Sequence, residues 1–157
     1  MEPHCDSARR SSRRWAVALA CWVAFIWCHS LVQGPQSSLE SGMVVALLRP
    51  LFEAVGVTDA SLMSLVVRKC AHFSEYAVLG VLACGLFRAR GRETGRRALL
   101  AALIVALVPV VDECIQLGVP GRSGQPTDVI IDLSGLLVGS IASSVVSRLR
   151  SQRSSGR

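Results

Sequence analysis

The chain's six cysteines show no CxxC pair and no metal-ligand spacing. That argues against a zinc ribbon or a thioredoxin-like redox motif. It has no internal repeat, which argues against a solenoid. Aromatic residues make up 5% of the chain and none interleaves with a basic face, so nucleic acid is not an expected partner despite a net charge of +6. Ser12-Arg13-Arg14 precedes an apolar run, as in a secretory or twin-arginine signal, but no clean small-x-small cleavage site follows. The run is therefore read as an uncleaved first span.

The apolar residues fall in blocks separated by arginine clusters. The blocks cover residues 15–32, 71–87, 98–111 running on to 119, and 129–146, the last holding a single charge, Asp132. A soluble domain would distribute such residues among polar ones at helix or strand spacing. Each block approaches the ~20 residues that a helix needs to cross the hydrocarbon core.

The charges divide by segment. Arg9, Arg10, Arg13 and Arg14 precede the first block, Arg88, Arg90, Arg92, Arg96 and Arg97 separate the second and third, and Arg148, Arg150, Arg153 and Arg157 follow the fourth. Thirteen of the seventeen cations thus occupy alternate segments, and only Arg49, Arg68, Lys69 and Arg122 fall in the others. The positive-inside rule makes the rich segments cytoplasmic. The expected fold is an all-α, polytopic helix bundle in the cell membrane, with four transmembrane helices and both termini cytoplasmic. The spans cover about 15–33, 70–87, 98–118 and 129–147 within a membrane domain of 15–147. The basic tails, 1–14 and 148–157, have nothing to bury and are expected to be disordered.

Between the first two spans, Met43, Val44, Leu47, Leu48, Leu51, Phe52 and Val55 recur at helical spacing. They predict one stripe of a short amphipathic helix lying on the outer membrane surface or capping the bundle. Ser37-Ser38 and Gly56 bracket it, and Pro50 is expected to bend or interrupt it. Ser61 to Lys69 contains no breaker, so one long helix can include it and the second span. Pro120-Gly121 and Gly124-Gln125-Pro126 predict successive turns between the last two spans. Cys70 and Cys114 fall near outer ends, where a disulfide is geometrically conceivable. Lone cysteines in apolar helices more often pack as small hydrophobes.

Charged residues within spans are costly, about 2.5–3.5 kcal/mol each at mid-membrane, and so are functional candidates. Here they are His72 and Glu75 at the start of the second span, Asp112, Glu113 and Gln116 toward the end of the third, and Asp128 and Asp132 at the start of the fourth. Because successive spans run in opposite directions, these positions must share one membrane face, and the arginine pattern makes it the outer one. Lys69, His72, Glu75 and Tyr76 share a helix stripe, with Gly80 and Cys84 continuing a small-residue path below them. Asp112 and Gln116 are four residues apart, as are Asp128 and Asp132. Gly135 and Gly139 form a small-xxx-small pattern that lets helix backbones approach. Pro109 would kink the third span just before Asp112 and free carbonyls near the polar cluster.

Five carboxylates (Glu75, Asp112, Glu113, Asp128 and Asp132) face three fixed cations (Arg68, Lys69 and Arg122). Shared protons, a protonated His72 or a bound divalent cation could offset the excess. Structural readings stand beside the functional ones. Asp128 fits a helix N-cap, Arg68 and Lys69 an interface marker, Glu113 a solvated position, and His72 and Glu75 a hydrogen-bonded pair.

The residues also carry a family resemblance. Arg68-Lys69-Cys-Ala-His72-Phe73-Ser-Glu75-Tyr76, then Asp112-Glu113-Cys-Ile-Gln116, then Pro120-Gly121-Arg122-Ser-Gly124, then Asp128-Val-Ile-Ile-Asp132-Leu-Ser-Gly135 resemble the VanZ-like family over about residues 37–143. The family pattern has these blocks in this order. The resemblance implies a multi-pass bacterial membrane protein. The family's name-giving member is associated with low-level resistance to the glycopeptide teicoplanin, and no enzymatic mechanism is established for the family.

Two functions of different classes follow. In the first, the polar cluster is a site facing the cell envelope that handles a lipid-linked or peptidoglycan-derived group. His72, Glu75, Asp112 and Asp132 are then the catalytic candidates, with Glu75 or Asp112 as general base. Lys69, Tyr76, Glu113, Gln116, Arg122 and Asp128 are the ligand-binding candidates, with Lys69 or Arg122 contacting an anion. In the second, the protein is a non-enzymatic envelope accessory or scaffold and the cluster is structural. A small transporter fits less well, because no carboxylate continues down the bundle below Asp132.

Overall fold

The computed structural model describes residues 3–32, 34–91, 95–122 and 124–155, without the side chains of residues 3–8, 34–38, 40, 154 and 155. Arg92 and Arg157 of the basic clusters lie outside the described residues, as do the side chains of Cys5, Ser37 and Ser38. Among the described residues all regular structure is helical: α1 (Pro3–Ser30), α2 (Gly34–Ala54), α3 (Ala60–Ala89), α4 (Arg96–Ala106), α5 (Val108–Leu117) and α6 (Pro126–Ser155).

Local chemistry sets several of these boundaries. Asp59 starts α3 as its N-cap: its carboxylate accepts from Ser61 N at 2.7 Å and Leu62 N at 3.4 Å. No breaker follows, and Ser61 to Lys69 continues into the second apolar block as one 30-residue helix. At 1.5 Å per residue it is about 45 Å long, more than the ~30 Å hydrocarbon core. Pro109 lacks an N–H and crowds the carbonyl four residues back, and the third block breaks beside it. α4 ends at Ala106, Leu107 forms the joint, and α5 resumes at Val108.

Among the described residues, three stretches are long and apolar enough to cross a membrane: Ala60–Ala89, Arg96–Leu117 and Pro126–Arg153. α1 is not among them. Its apolar part begins only at Trp15, and the helix turns out at Ser30, before the apolar run ends at Val32. The basic tails differ from expectation: residues 3–14 continue α1 and residues 148–155 continue α6. Arginine is a good helix former, and extending an existing helix is far easier than nucleating one.

α2 corrects two further expectations. It begins at Gly34, upstream of Ser37-Ser38, and runs through Pro50 without interruption. The broad apolar stripe also divides. Ser41 and Val45 are buried, with Leu48 and Phe52 half-buried on the same face, whereas Leu39, Met43, Leu47, Leu51 and Val55 are exposed, Leu47 at 80%. α2 packs against α3. The exposed row suits contact with lipid, as a membrane-surface helix requires.

The tightest pairing is α3 against α6. A Cβ on Gly80 would fall onto Leu136 O and Ser140 N, one on Gly135 onto the Phe73 backbone, and one on Gly139 onto the Ala77 backbone. Lipid offers no hydrophobic drive for one helix to prefer another, so such close van der Waals contact is what holds the pair. α1 lies across α3: Gly85 receives the Trp15 ring, and Trp22 Nε1 donates to Glu75 O at 2.9 Å. Ile26, Tyr76, Leu79 and Val108 join α1, α3 and α5 in a small apolar core. Cys70 and Cys114 are free and exposed, as are Cys21 and Cys28, rather than packed inside.

Candidate functional site

The start of α3, the end of α5 and the start of α6 meet at one end of the bundle, as alternation of helix direction requires. His72, Asp112 and Asp132 form the centre, one from each helix, with a ligand-capable atom of each within 4.8 Å of the others. His72 Nδ1 lies 3.6 Å from Asp132 Oδ1. Asp112 and Asp132 are both fully buried. The close α3–α6 approach at Gly135, one turn from Asp132, brings Asp132 and His72 face to face.

The surrounding groups differ in how they are satisfied. Asp112 accepts from Ser30 Oγ through one oxygen and from Gln116 Nε2 at 3.2 Å through the other. Among the described residues, Asp132 has no hydrogen-bond partner on either oxygen, and neither do His72 Nδ1 and Tyr76 Oη, all of them buried atoms. Tyr76, fully buried, stands beside Asp112. Ser30, at the end of α1, adds a fourth helix to the centre.

Around the rim, Lys69 on α3 pairs with Asp128 on α6. Arg122, in the turn between α5 and α6, donates Nε to Val32 O at 3.1 Å and Nη2 to His29 O at 3.4 Å. It thereby ties that turn to the end of α1. Between these groups lies a cavity of about 80 Å³, lined by Arg68, Lys69, His72, Gln116, Arg122, Gln125 and Asp128 among others. One water needs about 10–15 Å³ by this measure. The space is therefore large enough for several waters or one small group, with Lys69 and Asp128 paired at its rim.

Three structural readings from the sequence need correction. Glu113 is buried, not solvated: its Oε2 accepts from Gln125 N at 2.9 Å and so anchors the turn before α6. That turn is close enough for a Cβ on Gly124 to come 2.8 Å from Glu113 O. Asp128 is not the N-cap, because α6 begins two residues earlier at Pro126, where a missing N–H costs nothing. Glu75 pairs with His29 Nδ1 at 3.2 Å rather than with His72. Of the ten predicted site residues, His72, Asp112, Asp132, Tyr76 and Gln116 converge at the centre, whereas Lys69, Asp128 and Arg122 form the rim. Glu75 and Glu113 serve contacts to α1 and to the turn.

Sequence reasoning missed His29 and Ser30. Their signal was a polar His-Ser pair closing an otherwise apolar run, at the same end of the bundle as the other polar residues.

The chain matches the model of the VanZ/LLP1 family over residues 15–147. It is matched by no curated protein and by no solved structure.

Proposed function

The chain belongs to the VanZ/LLP1 family, and from that premise we propose that it is a cell-membrane protein of the bacterial envelope whose polar centre faces outward and handles an anionic envelope group. The group is a phosphate or carboxylate carried by a lipid-linked or peptidoglycan-derived molecule. The observation that carries this reading is the small cavity rimmed by Arg68, Lys69 and Arg122 directly beside the His72–Asp112–Asp132 centre. Arginine and lysine select such anions through charge-assisted hydrogen bonds, and the buried carboxylates beyond them offer a general base within reach of the bound group.

In this reading α1 is a fourth span and both termini are cytoplasmic. The alternating arginine clusters support that orientation. A contribution to glycopeptide tolerance, teicoplanin in particular, is one consequence of handling such a group.

A second reading has its own support. Asp112 bonded to Ser30 and Gln116, and Arg122 bonded to the carbonyls ending α1, are what a structural polar network between helices looks like. The two readings separate on alanine variants. Glycopeptide and envelope-stress susceptibility of a deletion strain is measured with complementation by wild type, His72→Ala, Asp132→Ala and Lys69→Gln. Loss of complementation at normal membrane abundance supports a site. Loss that tracks reduced abundance supports the structural network, and no envelope phenotype in the deletion strain removes the envelope role.

A further inference from the structure

We propose that His72, Asp112 and Asp132 bind a divalent transition-metal cation, Zn²⁺ or Mn²⁺, between α3, α5 and α6. The assignment deepens the reading of this same site and relies on it only for the site's role at the envelope, not for the ion's ligands.

Geometry comes first. One imidazole and two carboxylates present donor atoms that all lie within 4.8 Å of one another. Donors bound to one ion at about 2.0–2.2 Å stand no more than about 4.4 Å apart, so small side-chain rotations close the triad onto an ion. His72 Nδ1 and Asp132 Oδ1, at 3.6 Å, already fall within that span.

The pattern of satisfied and unsatisfied atoms comes second and is independent of the first. Asp132 is fully buried and, among the described residues, neither of its oxygens has a hydrogen-bond partner, nor has the buried Nδ1 of His72 opposite. Buried polar atoms are almost always paired, and a buried carboxylate without a donor is especially costly. Here the unsatisfied atoms point at one another, and each is a lone-pair donor in the ionised carboxylate or the neutral imidazole. A cation satisfies them together.

Asp112 completes the argument by contrast. Its oxygens are held by Ser30 and Gln116, so the carboxylate is oriented from behind and keeps lone pairs toward the centre. Ligating carboxylates are commonly held by such outer hydrogen bonds. The charge also balances, since two carboxylates against one divalent ion leave a neutral cluster in a low-dielectric setting. A mixed nitrogen and oxygen donor set suits Zn²⁺ or Mn²⁺ better than Mg²⁺ or Ca²⁺, which take oxygen almost exclusively. Three protein ligands leave coordination positions open toward the cavity beside Lys69 and Arg122. That is the arrangement of a site that also meets a ligand or water.

The test uses the full chain purified in detergent or nanodiscs and supplied with Zn²⁺ or Mn²⁺ in separate arms. After dialysis, elemental analysis is expected to find about one ion per chain in one arm. Chelation should lower the melting temperature and re-addition of that ion restore it. Asp132→Asn and His72→Ala should each lower metal content at least tenfold, whereas Glu53→Gln, at an exposed carboxylate of α2, should retain it. Ser30→Ala should weaken affinity about 10–100-fold, as loss of an outer hydrogen bond does. Should the centre variants not fold, chelator-stripped wild type titrated by calorimetry must still saturate at one ion per chain. No bound ion in either arm, or full retention by both centre variants, overturns the proposal. An ion-binding chain without an envelope phenotype breaks only the envelope reading; a phenotype dependent on Lys69, at the cavity rim, in a chain that holds no ion breaks only the metal assignment.

Discussion

The seam between α3 and α6 is held by opposite means along its length. Toward the middle of the bundle, Gly80, Gly135 and Gly139 let backbone rest on backbone, with no room for a single added carbon. At the polar end the same two helices face each other through Lys69 and Asp128 and through His72 and Asp132. The first half fixes spacing and register through contact. The second inherits that register and spends it on chemistry, which is why an unsatisfied carboxylate can persist there: the glycine contacts hold the helices together whatever the carboxylate costs.

Enlarging a glycine should break the comparison most completely. Gly139→Leu drives a side chain into the Ala77 backbone and should cost about 3 kcal/mol or more, the upper end for overpacking, or prevent accumulation altogether. Gly42→Ala, inside α2 where nothing among the described residues lies within 4 Å, should melt at or slightly above the wild type, because alanine favours a helix interior over glycine. Equal melting of the two variants in detergent would show that the seam is not held by close contact.

Next in size is the rim pair. Lys69→Ala leaves a largely buried Asp128 without its cation and should cost about 1–3 kcal/mol, with Asp128→Asn recovering part of the loss in the double variant. Additive losses in a double-mutant cycle would mean that the two groups do not interact across the seam.

A smaller effect belongs to Ser30→Ala. Removing one hydrogen bond to Asp112 should cost about 1 kcal/mol, and the loss should vanish in an Asp112→Ala background. Persistence of the full loss there would place Ser30 outside the polar centre.

The smallest prediction lies off the seam. The Ser61 hydroxyl, then the Ser61 and Leu62 backbone N–H groups, hold Asp59 below the ordinary carboxylate range. Its folded-state value is the depressed one, so its contribution is present above the unfolded value near 3.9 and fades as pH falls through the folded one. Melting followed from pH 6 downward should therefore lose less stability in Asp59→Ala than in the wild type. Parallel curves would show that the cap contributes nothing.

Much of this was legible from residue order. Apolar blocks, alternating arginine clusters and the four motif blocks indicate a helical membrane protein of this family, and Gly135 with Gly139 marks the helix face that packs most closely. The roles of single polar residues were less so. Glu75 is on the same stripe as His72, yet it pairs with His29 on α1 across a separation that no local spacing reports. Glu113 reads as a solvated neighbour of Asp112 until the turn before α6 folds back on it. The stripe of α2 reads as one face because periodicity measures width, and only docking on α3 reveals that part of it is covered and the rest exposed.

The sequence by itself determined the membrane class, the family and the gathering of polar residues at one end. Antiparallel succession of spans forces consecutive helix starts and ends onto a common face, whatever the packing. Only the tertiary structure decided which of those residues meet. Partner choice depends on the rotation of each helix about its axis and on the path of α1, and both are set by contacts between residues far apart in the chain. Glycine packing on α3 turns Asp132 toward His72, and the end of α1 delivers Ser30 to Asp112.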